Sequence, residues 1–376
     1  MDRTDRIAAE IISKADSEHP ADAVLRTALK TATALSREDS REISRAVFAY
    51  YRWYGWFDPA HGIELQLGTA RQLNDRFRKN PQGFSEAELR RAVPEWIHEQ
   101  MEVSADWLRQ LQMEPTLWLR AKAGQGTLLA ETLGRCRAAG TGVLADALRF
   151  EGKEDLFRTP EFQAGQFELQ DVSSQIVGWL CDPKPGETWW DACAGEGGKL
   201  LHLSDLMQNK GLIWASDRAE WRLKKLKQRA ARAGVFNYRG VAWDGNSKLP
   251  MKTKFDGILV DGPCSGIGTW QRNPHARWTL SPGDVEELAT VQERLLENVI
   301  PALKPGGRLI YSVCTLARAE TAQVAERISG RFPKLKALKL ANPLSPDGTS
   351  DGGLWLWPQS VNGNGMFVFG WENGAV

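Results

Sequence analysis

Two short segments late in this chain each place one cysteine where a strand should meet a loop. One is Asp261-Gly262-Pro263-Cys264-Ser265-Gly266, and the other is Tyr311-Ser312-Val313-Cys314-Thr315. Each follows a strand-like apolar run, over 257–260 and 308–310. Ligands bind at the strand ends of open α/β sheets, and a thiol at that edge is well placed as a nucleophile. Two such thiols downstream of a glycine-rich turn point to covalent chemistry on an electrophilic ring beside a bound cofactor. The bland alternative makes cysteine a small buried hydrophobe. It suits Cys136 and Cys181. It suits Cys264 and Cys314 poorly, because Pro263 and Ser265-Gly266 mark a loop.

The glycine-rich turn lies in Trp189-Trp190-Asp191-Ala192-Cys193-Ala194-Gly195-Glu196-Gly197-Gly198-Lys199, which reads as strand, turn and helix. Its glycines permit a tight turn and let a ligand approach the backbone. The spacing differs from GxGxxG and lacks the phosphate grip of a P-loop, so a nucleoside without a phosphate chain fits it. Ser216-Asp217 ends the next strand, where an acid typically accepts ribose hydroxyls. Asp244 falls one strand further on, where an acid could meet an adenine amino group. A plain strand–helix turn would explain the glycines alone. Two acids in register favour a nucleoside cofactor.

The thiols then acquire a task. Carbon 5 of a pyrimidine is barely nucleophilic, but a thiolate adding to carbon 6 creates an enamine that can attack an activated methyl group. The ring nitrogen must gain a proton as charge develops, and Asp261 is a candidate donor. Afterwards the carbon 5 proton must leave and the enzyme must be expelled, a step that suits a second thiol.

These residues resemble the Sun/Nop/RsmB family of S-adenosylmethionine-dependent RNA cytosine-5 methyltransferases. The resemblance rests on Leu169-Gln170-Asp171-Val172-Ser173-Ser174-Gln175, the turn 191–199, the stretch 261–274 (DGPCSGIGTWQRNP) and the stretch 312–320 (SVCTLARAE). It is strong from Phe167 onward and loose before it. It implies that Cys314 is the nucleophile on cytosine, that Cys264 assists release of the product, and that Asp261 binds the cytosine near the cofactor. It also implies that Cys193, Ala194, Gly195, Glu196, Gly197, Gly198, Lys199, Asp217, Arg222, Asp244 and Asp261 surround S-adenosylmethionine. Lys199 would also reach the catalytic site, and Arg272-Asn273-Pro274 would shape a loop over the target. The chain departs from the family at Gly195-Glu196, where Ala-Pro is usual. A carboxylate there could bind the methionine ammonium group or cap the following helix through its dipole, and capping is the reading we prefer. Trp270-Gln271, Thr321 and Asn364 are further departures, the first implying different RNA contacts.

Elements must carry these residues to one place. From Gly165 short strands alternate with helices: strands over 188–190, 212–215, 257–260 and 309–312, with helices from Lys199, from Glu220 and over 282–302. Such alternation predicts a parallel sheet with helices on both faces, closed by a strand over 365–371. The expected class is α/β: a Rossmann-like methyltransferase domain over 166–376, preceded by an all-helical NusB-like RNA-binding unit over 1–85 and a small α+β module over 86–165. Ile7, Ile11, Leu25, Leu29, Ile43, Val47 and Tyr51 recur at helical spacing, and Ser36 with Asp39 reads as a helix start. Helix is expected over 86–111 and 125–139, with a strand over 116–121. Arg37, Arg41, Arg45 and Arg52 could form a phosphate-facing stripe or a solvated, salt-bridged face. The more basic run Arg222, Lys224, Lys225, Lys227, Arg229 and Arg232 reads as a solvated outer face.

Composition bounds the rest. The 376 residues carry a net charge of only +1, so any nucleic-acid binding needs a local basic face. The five cysteines form no CxxC pair, which fits reduced thiols in a cytoplasm and no zinc site. The start of the chain is charged and no apolar run has membrane-spanning length. The expected protein is a cytoplasmic monomer acting on RNA, ribosomal RNA first and transfer RNA second. The alternatives are a non-catalytic RNA-binding or assembly factor that keeps the fold, and a small-molecule methyltransferase, which would give the two thiols no role. The sixteen tryptophans have no explanation here beyond core filling and base stacking.

Overall fold

A computed structural model describes residues 2–32, 35–345, 349–350 and 352–374. By its internal contacts the chain divides into two units. The first runs to Pro115 and takes in Gly266–Asp284; the second comprises Thr116–Ser265 and the chain from Val285 onward.

The first unit is all-helical, as expected of a NusB-like region. Its helices Arg3–Ser13, Ala21–Thr31, Arg37–Trp53 and Ile63–Lys79 bury Ile11, Leu25, Ile43, Val47, Tyr51 and Leu67 together. Ser36 caps the third helix: its side chain accepts from Asp39 N–H, and the Asp39 carboxylate accepts from Ser36 N–H. This is the reciprocal pairing of a capping box. The expected arginine stripe fails at Arg52, which is buried. Burial pulls its guanidinium down to about 10. Arg37, Arg41 and Arg45 remain exposed, and Arg41 faces Glu38 at 3.9 Å. The expected long helix over 86–111 is instead three short helices, Glu86–Leu89, Ile97–Gln100 and Ala105–Gln112. The expected division after residue 85 also differs from the observed one, since residues 86–115 belong with the helical unit.

The excursion Gly266–Asp284 is held in this unit by buried side chains. Arg277 is fully buried. Its Nε donates to Trp270 O at 3.2 Å, Nη1 to Ala92 O at 3.3 Å and Nη2 to Leu111 O at 2.7 Å. Trp270 packs near Trp96 and Trp107, and the Gln271 amide donates to Met113 O and Glu114 O. Trp270-Gln271 thus serves packing, where different RNA contacts were expected.

The second unit contains two sheets. Strands β1 (Leu117–Ala121), β2 (Cys136–Ala138), β3 (Ala147–Phe150) and β4 (Phe167–Leu169) form an antiparallel sheet ordered β2-β3-β1-β4. The helix expected over 125–139 ends at Leu133. Gly134 and Arg135 take positive φ values of 62° and 47°, a left-handed break that releases the chain into β2. Strands β5 (Thr188–Asp191), β6 (Leu212–Asp217), β7 (Tyr238–Ala242), β8 (Phe255–Asp261) and β9 (Leu303–Val313) run parallel in the order β7-β6-β5-β8-β9. The same sheet continues through β10 (Leu335–Ala337), β13 (Leu354–Leu356) and β14 (Met366–Asn373), with β14 antiparallel to β9. Between them β11 (Leu340–Ala341) and β12 (Thr349–Ser350) form a separate small pair. The α/β reading holds, with an antiparallel edge added. Gly257 lets β8 lie beside β5, because a Cβ there would stand 2.2 Å from the Trp189 ring. No helix among the described residues is long and apolar enough to cross a membrane.

The basic run on helix Glu220–Ala233 is only partly a solvated face. Arg222, Lys224, Lys225 and Lys227 are exposed, while Arg229 and Arg232 both pair with the buried Glu168 of β4.

Candidate active site

Strand order reverses at β5: β6 and β7 lie on one side of it, β8 and β9 on the other. Such a switch point leaves a crevice at the carboxyl ends of the strands. A cavity of about 620 Å³ occupies it, lined by Asp191–Glu196, Lys199, Asp217, Arg222, Asp244, Asp261, Cys264 and Cys314 among others. Every residue expected at the site borders it except Gly197, whose place is in the turn beneath. There φ is +86°, and a Cβ would stand 2.7 Å from Leu226 Cγ, so only glycine fits without shifting that side chain.

The turn is held by the acid of the neighbouring strand. Asp217 accepts from Gly195 N–H at 3.0 Å and from Ala219 N–H at 2.8 Å, while Arg222 stands 3.8 Å away. Asp244 accepts from Asn246 N–H at 3.1 Å, closing its own loop. Glu196 neither caps the helix nor lacks a partner. Its Oε1 accepts from Lys225 Nζ at 2.8 Å, and the helix begins at Gly198 with no side-chain cap. The expectation of a capping role is therefore corrected: Lys225, one helix away in sequence, competes more strongly for the carboxylate than the first-turn amides do.

Asp191 is the residue that sequence reasoning passed over. It is 1% exposed, borders the cavity, and neither carboxylate oxygen has a hydrogen-bond partner. Burial, reinforced by the charge of Asp261, pushes its carboxyl up to about 7. A buried unpartnered acid is costly unless a ligand supplies the missing donor. Its place at the end of an apolar strand, just before the turn, was the available signal. Burial and the neighbouring Asp191 likewise push the Cys193 thiol up, which keeps it protonated.

On the other side of β5, β8 and β9 bring their loops together. Asp261 and Ser312 are register partners, and Ser312 Oγ donates to Asp261 Oδ1 at 2.8 Å. Asp261 Oδ2 accepts from Lys199 Nζ at 2.6 Å. Burial opposes the charge on Lys199, but Asp261 outweighs it and the ammonium pKa stands above its ordinary value. Beyond this pair Cys264 Sγ and Cys314 Sγ stand 3.3 Å apart. One base edge could therefore meet a charged pair and two thiols together. A second network missed by sequence lies behind the thiols, built from Ser265, Gln292, Tyr311, Thr315 and Glu320. Arg272-Asn273-Pro274 belongs to the excursion counted with the helical unit. Among the described residues no cluster of three or more His, Cys, Asp or Glu is placed to hold a metal ion.

Comparison with known proteins agrees with this architecture. Residues 178–370, just over half of the chain, match the family model described as 16S rRNA methyltransferase RsmB/F. A probable ribosomal RNA small subunit methyltransferase B from Synechocystis is 39% identical over 189 residues, covering 49% of this chain and 42% of the relative. The mouse tRNA (cytosine(72)-C(5))-methyltransferase NSUN6 is 33% identical over 219 residues, covering 54% of this chain and 45% of the relative. The chain thus spans less than half the length of these relatives. In fold it is similar to the crystal structure of PH0851, with a TM-score of 0.79 at 23% identity, covering 98% of this chain and 97% of the other.

Proposed function

Because this chain belongs to the RsmB/F family of 16S rRNA methyltransferases, we propose that it transfers a methyl group from S-adenosylmethionine to carbon 5 of a cytosine in RNA. The observation that carries this reading is the pair of thiols 3.3 Å apart at neighbouring strand ends, beside the Lys199–Asp261 ion pair. Ribosomal RNA is the favoured substrate, in keeping with the family. Transfer RNA is the alternative, favoured by the similarity to mouse NSUN6. The helical unit and the four-stranded sheet are assigned to positioning that RNA.

The residues around the cavity fit S-adenosylmethionine. The unpartnered Asp191 carboxylate suits a cationic ammonium group, the Cβ-free turn at Gly195, which borders the cavity, admits close approach, and Asp217 and Asp244 follow at successive strand ends for the ribose and adenine. When bound, the cofactor supplies an electrophilic methyl group and leaves as a neutral thioether. The chain's own groups do the remainder. Cys314, as thiolate, adds to carbon 6 of the cytosine. The Lys199–Asp261 pair holds the ring's polar edge and delivers a proton to its nitrogen. Carbon 5 then carries the electron pair that forms the new carbon–carbon bond. Cys264, as thiolate, removes the carbon 5 proton, the carbon 6–sulfur bond breaks, Cys314 regains its electrons as a thiolate, and the ring nitrogen returns its proton to the Lys199–Asp261 pair.

The test is Cys264→Ala, expressed in cells and run on a denaturing gel with and without ribonuclease. The expected result is a ribonuclease-sensitive, slow-migrating band of protein covalently attached to RNA, and sequencing that RNA separates ribosomal from transfer RNA. Adding Cys314→Ala must remove the band, and Cys314→Ala alone must bind cofactor yet methylate nothing. A folded, cofactor-binding Cys264→Ala protein without the band would overturn the release role. Turnover by Cys314→Ala would overturn the nucleophile.

A further inference from the structure

Glu320 is a fully buried carboxylate to which the reaction above gives no task. It follows Cys314 along the chain, in the short turn Arg318–Glu320, yet it reaches back to the other thiol's loop. Its Oε1 accepts from Ser265 N–H at 2.8 Å and from Gln292 Nε2 at 3.0 Å, and its Oε2 accepts from Ser265 Oγ. Gln292, on helix Pro282–Val299, also donates to Pro263 O at 2.8 Å. The residues before and after Cys264 are therefore both tied to one buried cluster. Ser265 Oγ meets Thr315 Oγ1 at 2.8 Å, which ties in the residue after Cys314. Tyr311 completes the cluster from β9, its hydroxyl lying 2.7 Å from Gln292 Oε1 and 2.6 Å from Glu320 O, two acceptors that share its one proton.

The energetics argue that this cluster is kept for geometry. Burying a charge carries a heavy desolvation cost, and even whole buried ion pairs can often be replaced by apolar side chains without loss, so stability alone does not account for a carboxylate here. What its bonds provide is orientation, since loops at strand ends are otherwise the mobile part of an α/β sheet. Side chains that support a reacting constellation must hold it within a fraction of an ångström. We infer that Glu320 is the positioning residue that sets the spacing of the Cys264 and Cys314 thiols, acting through Ser265 and Gln292. The inference rests on the reading of those thiols as the reacting pair, but its geometry can be tested without RNA.

The carboxylate accepts all its bonds, so a glutamine can replace it in only one way. Its oxygen takes the place of Oε1, and its amide donates to Ser265 Oγ, which turns to donate to Thr315. Glu320→Gln therefore keeps the clamp and Glu320→Ala removes it. The measurement is the rate at which phenylarsine oxide, which bridges two adjacent thiols, is captured by the full-length protein, read by intact mass. Cys314→Ala gives the background from the other cysteines. Glu320→Ala is expected to slow capture at least tenfold and to lower kcat similarly, with KM for RNA within twofold. Glu320→Gln is expected to stay within twofold of the unaltered protein on all three. Capture by Glu320→Ala at the unaltered rate would overturn the inference, as would Glu320→Gln failing alongside Glu320→Ala. Should Glu320→Ala not fold, Gln292→Ala removes the Pro263 anchor and must slow capture several-fold; an unchanged rate overturns the clamp. Capture that follows this pattern without methylation of any RNA would sink the proposed function and leave the positioning role standing.

Discussion

The stretch from Asp261 to Pro274 reads as one motif, yet its two halves belong to different regions of the molecule. Asp261 and Cys264 border the cavity at the end of β8, where Asp261 is paired with Lys199 and Cys264 faces a second thiol. Gly266 onward is counted with the helical unit, where Trp270, Gln271 and Arg277 are buried. There the polar groups of Arg277 are directed at backbone carbonyls of the chain itself. The contrast is one of chemical availability. Groups at the strand end line a cavity and can meet a ligand, whereas groups in the excursion are committed to internal bonds. Contiguity in a motif does not imply a shared task.

The largest expected effect tests the committed half. Arg277→Ala strips a charged donor from three carbonyls and opens a void, which should lower unfolding free energy by about 3 kcal/mol or more, measured by chemical denaturation. Cofactor affinity by calorimetry should stay within about twofold once the protein is folded. A collapse of cofactor affinity would break the separation between the halves.

The available half is probed by Asp191→Asn. Loss of the charge should weaken cofactor binding roughly ten- to a hundred-fold, read by the same calorimetry. The pH dependence carries a sign. Asp191 titrates higher in the folded protein, near 7, than its ordinary 3.8, so the folded state holds the extra proton between those values. Its stability contribution is present at low pH and is lost as pH rises toward 7. That slope should be smaller in Asp191→Asn. Cofactor affinity should rise through the same window, because a cationic ligand favours the ionised acid. An affinity indifferent to pH would remove Asp191 from the binding set.

The smallest effect sharpens the boundary of the site. Glu196 and Lys225 are about half exposed, and pairs of that kind contribute about 0–1 kcal/mol. Glu196→Ala should leave thermal stability nearly unchanged and cofactor affinity within about threefold. A larger loss of affinity would return Glu196 to the ligand.

Much of this was legible before folding. The glycine turn, the acids at strand ends, the parallel alternation and the Ser36–Asp39 cap all declare themselves through local backbone demands or short-range periodicity. The helix over 125–139 was misread because its apolar spacing continues past Gly134, and only the positive φ there shows that the chain turns. Glu196 was misread because a carboxylate at a helix start usually caps, while Lys225 is invisible at that range. Arg52 was misread because helical spacing locates a face but does not say whether that face meets solvent or another helix.

The sequence by itself determined which residue types stand at which strand ends, because strand and turn preferences act over a few neighbouring residues. Only the tertiary structure decided which of them meet. Cys264 faces Cys314, Ser265 reaches Glu320 and Lys199 reaches Asp261 across large sequence separations. Parallel pairing of β5, β8 and β9 sets those meetings, since the register of a sheet aligns distant segments at one edge. Tertiary burial also settled the two overlooked acids: Asp191 was left without a donor and Glu320 was given three hydrogen bonds. Burial makes every polar group seek a partner, and which partner it finds depends on packing that no local pattern encodes.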